Sequence, residues 1–255
     1  MSSTVNGSFL SLELRKLARA TVTKVATVAS VLLVLVTAMG GYAAAIHGGD
    51  TDMGRKVQSM VAVAGWDGYI ALAATAGGVV TILGAGFVFA WVFGREFTDG
   101  TVVGLFALPV STGAIGLAKM LAALIWAFLV ATVEAVLVGL GGIVLELPVA
   151  GLPRCVASLL VVGTLLSLSM LVVPWITTLT FGYLGGIAAT LAIVAASNIA
   201  AGFGVGRYIP WAIPTLWATP KGDIAPGWLV LPVLVAAVGA AATFLSWRTL
   251  QLGNR

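Results

Sequence analysis

Six stretches of this chain are each long enough to cross a bilayer, largely apolar and nearly free of charge, and that pattern admits few folds. In hydrocarbon, every backbone N–H and C=O must be satisfied within the protein, so such stretches form helices. A bilayer core of about 30 Å needs roughly 20 apolar residues per helix. The candidate spans fall at about 25–46, 69–93, 115–145, 154–176, 181–203 and 228–247. Residues 1–255 therefore read as a single all-α integral membrane domain with six transmembrane helices. Charged residues make up only 9% of the chain, against about 25% in an average soluble domain. A surface facing water could not be covered with so few.

The net charge of +4 does not point to nucleic acid, because the basic residues are scattered and lie mainly at span ends. Orientation explains them better. With both termini in the cytoplasm, the inner segments hold Arg15, Lys16, Arg19, Lys24, Arg95, Lys119, Arg248 and Arg255, and the outer loops hold Arg55, Lys56, Arg154, Arg207 and Lys221. That inward excess is the expected direction. Cys155 and His47 are the only residues of their kinds, which argues against a His/Cys metal centre on this chain. Ala43-Ala44-Ala45 mimics a signal-peptide cleavage site, but the apolar run before it is longer than a typical signal core, so it reads as an uncleaved first span. The polar stretch from His47 to Gly68 reads as an outer loop.

Residues 8–19 read as an amphipathic helix lying on the membrane surface. Leu10, Leu14, Leu17 and Ala18 share one face at helical spacing. Arg15, Lys16 and Arg19 lie opposite, where they meet water and anionic headgroups. A basic flank that only sets topology is the plainer alternative.

Between the second and third spans lies GREFTDGTVVGLFALPVSTGAIGLAK, Gly94 to Lys119. Arg95, Glu96 and Asp99 cluster at its start. Gly100-Thr101 opens a short apolar turn of helix, which Pro109 stops because it lacks an N–H and crowds its predecessor. Ser111 can then cap a new helix. Glu96 and Asp99 are expected near a helix start, where the dipole favours them and a partner's basic residues could reach them. Phe97, Val102, Leu105 and Phe106 are the apolar anchors such a partner would find. An ordinary hairpin between two spans is the bland alternative.

In order, Glu96-Phe97, Gly100-Thr101, Pro109-Val110-Ser111 and Lys119 resemble the cytoplasmic coupling segment of ABC-2-type ABC transporter permeases. One departure is Thr112-Gly113, where that family often has a basic residue. The resemblance implies the membrane-spanning subunit of an ATP-driven exporter in a bacterial plasma (inner) membrane, not catalytic by itself. It implies an N-terminal elbow helix carrying Arg15, Lys16 and Arg19, and a coupling helix between spans two and three. That helix would meet the motor through Arg95, Glu96, Phe97, Asp99, Gly100, Thr101, Leu105 and Pro109. Expected partners are two ABC ATPase subunits, which hold Mg-ATP, a second permease chain that is identical or a sister, and membrane lipids. No cofactor is expected on this chain. It has no GxxxxGK[ST] phosphate loop and no Gly-x-Ser-x-Gly elbow.

Three further features stand out. Glu134 lies in the middle of the third span, where an unpaired charge costs about 2.5–3.5 kcal/mol on insertion scales; it is either a substrate-path residue or a carboxyl that ties helices together. Arg207 to Pro226 is broken by Pro210, Pro214 and Pro220 and carries Tyr208, Trp211 and Trp217. Irregular backbone at membrane depth survives only where protein or a wet cavity satisfies it. The segment therefore reads as re-entrant outer helices between spans five and six, an outer gate in the permease family, with an ungated aromatic belt as the alternative. Its Pro-Trp pair followed by another Pro is similar to the small permeases of bacitracin or lantibiotic resistance. Glycines at 77, 78, 84 and 86, at 139, 141 and 142, and at 182, 185 and 186 allow close helix approach, either between two chains or within one.

The function that follows is export of an amphipathic cargo, such as a peptide antibiotic, a drug or a lipid-like compound. Two other classes remain open at this point: an ion-coupled secondary transporter, and a membrane scaffold or sensor that moves nothing. The first usually shows several intramembrane ionisable groups, and here only Glu134 qualifies.

Overall fold

The computed structural model describes residues 2–47, 64–106, 110–220 and 223–250, with side chains from residue 9 onward except that of Phe106. Among the described residues there are helices and no strands, and six helical stretches are long and apolar enough to cross a membrane. The protein is an all-α membrane protein. Pro109 and the outer-loop residues 48–63, Arg55 and Lys56 among them, lie outside the described residues, as do Lys221 and Arg255.

Helix α1 (Ser2–Arg19) ends at Ala20, whose extended backbone turns the chain into α2 (Thr21–Leu35). A π-helical turn (Val36–Gly40) joins α2 to α3 (Gly41–His47), and the three together make the first span. The second span is α4 (Trp66–Thr98), and the short α5 (Val102–Phe106) follows it. The third is α6 (Thr112–Val144). The fourth is split into α7 (Leu152–Ser169) and α8 (Val172–Leu179). Helix α9 (Tyr183–Gly202) is the fifth, and α11 (Val230–Arg248) the sixth; between them sits α10 (Ile213–Trp217).

Helix α4 is the centre of the bundle and packs against α2, α6, α7, α8 and α9. Half of its most apolar window is buried, against 22% for the first, fifth and sixth spans. Those outer helices turn Val25, Val28, Leu32, Leu184, Phe203 and Val238 outward. In lipid, that is where apolar side chains belong.

The break in the fourth span was not expected. Pro174 has no N–H and its ring crowds the carbonyl four residues earlier, that of Met170. The N–H of Val173 bonds Met170 O at 2.9 Å, so the carbonyl of Ser169 loses its usual helical donor. The indole N–H of Trp211 donates to it instead, at 3.3 Å. Thr177 and Thr178, just past the expected end of the fourth span at 176, are buried in α8; the turn into α9 is Thr180–Gly182.

The small residues serve packing inside one chain. A Cβ on Gly94 would run into the backbone of Tyr183, and one on Gly186 into Thr177 and Ala90. Gly141 and Gly142 lie against Tyr69 and Trp66. There an aromatic cluster holds the far end of the bundle: Tyr42 and Trp66 meet Tyr69 edge-on, the Tyr69 hydroxyl donates to Val138 O at 2.8 Å, and Trp66 Nε1 donates to Pro148 O at 2.7 Å.

Candidate functional site

The site grows from the last turn of α4. Asp99 N–H bonds Arg95 O at 2.8 Å and Gly100 N–H bonds Phe97 O, which closes the helix. Gly100 then takes φ +69°, a left-handed conformation that any Cβ would strain. That turn swings Thr101 back so that its hydroxyl donates to the Glu96 carboxylate. Five residues of α5 follow. On the far side Ser111 caps α6, accepting from Ala114 N–H at 3.3 Å. The Glu-Phe-x-x-Gly-Thr order is thus a folding device: the acid and the phenyl point inward, the glycine turns the chain, and the threonine clasps the acid.

Glu96 is not at a helix start. It sits in the last turn of α4, where the dipole disfavours a carboxylate, and it is buried. The compensation comes from Lys119, two turns into α6 and fully buried, whose ammonium lies 2.7 Å from Glu96 Oε1. The same ammonium reaches Glu13 Oε2 of α1 at 3.2 Å. Lys16 closes the group, 2.7 Å from Glu13 Oε1 and 3.9 Å from Glu96 Oε1. Arg95 brings Nε to 3.8 Å from Glu96 and lays its guanidinium over the Trp91 ring at 4.7 Å. Three helices far apart in sequence are therefore joined by one cluster of charges. Lys16 belongs to it, while Arg15 and Arg19 remain exposed.

Glu13 had escaped sequence reading, although a signal was available. It lies on the same helical face as Leu10, Leu14 and Leu17, so an acid interrupts an otherwise apolar stripe. Lys119, inside an apolar run, is its counterpart.

Three of the four expected apolar anchors also turn inward, and the side chain of the fourth, Phe106, lies outside the described residues. Phe97 meets Phe181 and Trp247 edge-on, with centroids 5.5 and 6.1 Å away, and Val102 is buried. Trp247 is itself held by Phe93 and by a hydrogen bond from its indole to Thr178 Oγ1 at 3.0 Å. Leu105 packs against the same core. What remains on the outside is a short ridge: Asp99, Gly100, Thr101, Val103 and Gly104, with Val103 63% exposed.

At the opposite end, the segment between α9 and α11 dips into the bundle. Ile213 and Pro214 are buried, and Thr215 lies against Gly78. Gly78 is twelve residues beyond Trp66, about 18 Å along the helix at 1.5 Å per residue. Trp211 and Trp217 pack on the core, Pro210 is half-buried, and exposed Tyr208 meets Trp228 edge-on at 6.2 Å.

Glu134, buried in α6, accepts a hydrogen bond from Ser30 of α2. Eight residues earlier on α6, the indole of Trp126 donates to Thr27 at 3.0 Å. Two polar pairs thus pin the first span to the third. The cavity beside Glu134, lined by Val34, Gly77, Thr81 and Val162, has room for about one water.

A family model described as ABC-2 family transporter protein matches residues 9–197, most of the chain. The match takes in Glu13, the α4–α5 turn and Lys119, and stops before the Pro/Trp segment. The protein belongs to the ABC-2 transporter family: it is a transmembrane permease component of an ABC transporter, a kind of chain that is non-catalytic and generally works with ABC ATPase partners. A search of curated proteins found no match.

Proposed function

We propose that this ABC-2 permease conducts an amphipathic compound outward across a bacterial plasma membrane, driven by two separate ATPase subunits that bind and hydrolyse Mg-ATP. Both termini are cytoplasmic, α1 is the elbow helix and α5 the coupling helix. A second permease chain, identical or a sister, completes the path. The observation that carries this reading is the ridge Asp99–Gly104. It is exposed, yet rooted through Glu96, Phe97 and Val102 in the buried end of the central helix. A push on such a ridge is delivered to α4 and, through Lys119, to α6.

Asp99 and Val103 are the contacts offered to the motor, while Arg95, Glu96, Phe97 and Thr101 hold them in place. The outer segment is the gate in this reading, and the Trp211–Ser169 bond with the buried Ile213 and Pro214 of α10 supports its moving together with the kinked fourth span. Glu134 works as a tie between the first and third spans. Outside the Glu13–Glu96–Lys119 cluster, Glu134 is the only buried charged residue among the described residues, which suits an amphipathic cargo better than an ionic one.

The test is purification from the native membrane followed by reconstitution. A nucleotide-hydrolysing subunit copurifies, and vanadate blocks flux into proteoliposomes. Asp99→Lys combined with Val103→Glu releases that subunit while the permease still inserts. Flux that persists without any ATPase, or that follows a proton or sodium gradient, overturns the reading.

A further inference from the structure

The buried charges explain more than how the ridge is anchored. We infer that Glu13 and Lys119 are positioning residues which make α1 a moving part of the transport cycle, tied to the coupling ridge and not merely resting on the membrane. The inference rests on the proposed ATP-driven reading.

Three of the cluster's members lie on the α4–α5 turn itself: Glu96, Arg95 beside it, and Thr101, which clasps it. Lys119 comes from α6, and Glu13 and Lys16 from α1. Lys119 is 0% exposed and bonds the two carboxylates at 2.7 and 3.2 Å. The ammonium lies away from water and is shared between the two carboxylates, so pulling either one aside takes part of its compensation, and a buried charge follows its partner instead of losing it. Displacing Glu96 therefore draws Lys119, and Lys119 draws Glu13.

A hydrophobic contact at the same place would let the helices slide, because dispersion has no fixed direction. An ammonium held between two carboxylates sets both distance and angle. Buried ion groups of this sort add little net stability and are best explained by the arrangement they enforce. The neighbouring packing agrees. Leu17 of α1 is buried in the same core as Phe93 and Trp247, and the first span begins immediately after Ala20. Motion of α1 is thus passed to the first span as well as to α4 and α6.

The experiment measures distances within the permease–ATPase complex. Spin labels go on Leu12→Cys of α1 and Leu245→Cys of α11, both exposed, while the native Cys155 is buried and does not react. In the otherwise unaltered complex, vanadate trapping shifts the Leu12–Leu245 distance. In Glu13→Gln, which keeps the shape and removes the charge, the shift is lost and flux per ATP hydrolysed falls about tenfold; Glu13→Asp restores part of both. A purely structural role would lower the unfolding midpoint in proportion to the loss of flux, whereas here the midpoint changes little. The inference is overturned if Glu13→Gln keeps the shift and the coupling, or if α1 does not move on trapping while transport proceeds. If no ATPase associates, the underlying reading fails instead. The lone permease then still decides whether Glu13 holds α1: a broadened Leu12–Leu245 distribution in Glu13→Gln supports the joint, and an unchanged one rejects it.

Discussion

Replacing Lys119 with methionine removes the ammonium and keeps a flexible chain of similar volume. The two carboxylates it served, Glu96 and Glu13, are both buried, so water cannot take its place. Lys16 stays, but its side chain is 31% exposed and stands 3.9 Å from Glu96, and Arg95 comes only within 3.8 Å. Breaking a buried pair by deleting one partner costs about 3–5 kcal/mol, because the other charge is left uncompensated. Lys119→Met should lose stability of that order in equilibrium unfolding of the permease in mixed micelles. Lys119→Met combined with Glu96→Gln should recover about half or more of the loss, since the stranded charge is gone and Thr101 can still donate to the amide oxygen. Residues in direct contact give such non-additive results, and distant ones do not. A single mutant within about 1 kcal/mol of the native protein, or a double mutant no better than the single, would refute the reasoning.

Two further perturbations separate packing from polarity. Gly94→Val drives a side chain into the backbone of Tyr183 and should cost about 3 kcal/mol or prevent assembly; Gly104→Ala, with open space around it, should change stability by less than about 0.5 kcal/mol, and thermal unfolding compares them. Glu134→Gln keeps an acceptor for Ser30 and should leave both unfolding and flux near native, whereas Glu134→Leu strands the Ser30 hydroxyl and should cost about 1–3 kcal/mol. Loss of flux in Glu134→Gln without loss of stability would instead place that carboxyl on the substrate path.

Much of this architecture was legible in the chain. Length and apolarity marked the six spans to within about five residues at each end, because the bilayer sets a minimum length for each. The Pro/Trp segment announced irregular backbone through residues that forbid a helix. The direction in which side chains point was far less legible. Glu96, Phe97 and Val102 read as offered to a partner, since a polar turn between two spans ordinarily faces water. Their inward orientation depends on Lys119, on Trp247 and on Glu13, which is 106 residues away from Lys119 in sequence. No local pattern records such a meeting. The split in the fourth span had a local cause in Pro174, yet its tolerance depends on an indole 42 residues beyond the Ser169 carbonyl that it serves. Glycine runs likewise signalled close approach without saying to what; the backbone of Tyr183 and the ring of Trp66 supply the answer.

The central claim is that a separate ATPase grips the ridge at Val103 from inside the cell. A photo-crosslinking amino acid placed at Val103, in the working transporter in its own membrane, tests it most directly. The account predicts a covalent adduct with a nucleotide-hydrolysing subunit, and protection of Val103→Cys from thiol reagents added outside intact cells. Labelling of that cysteine from outside, or a functioning transporter that yields no such adduct, would contradict it.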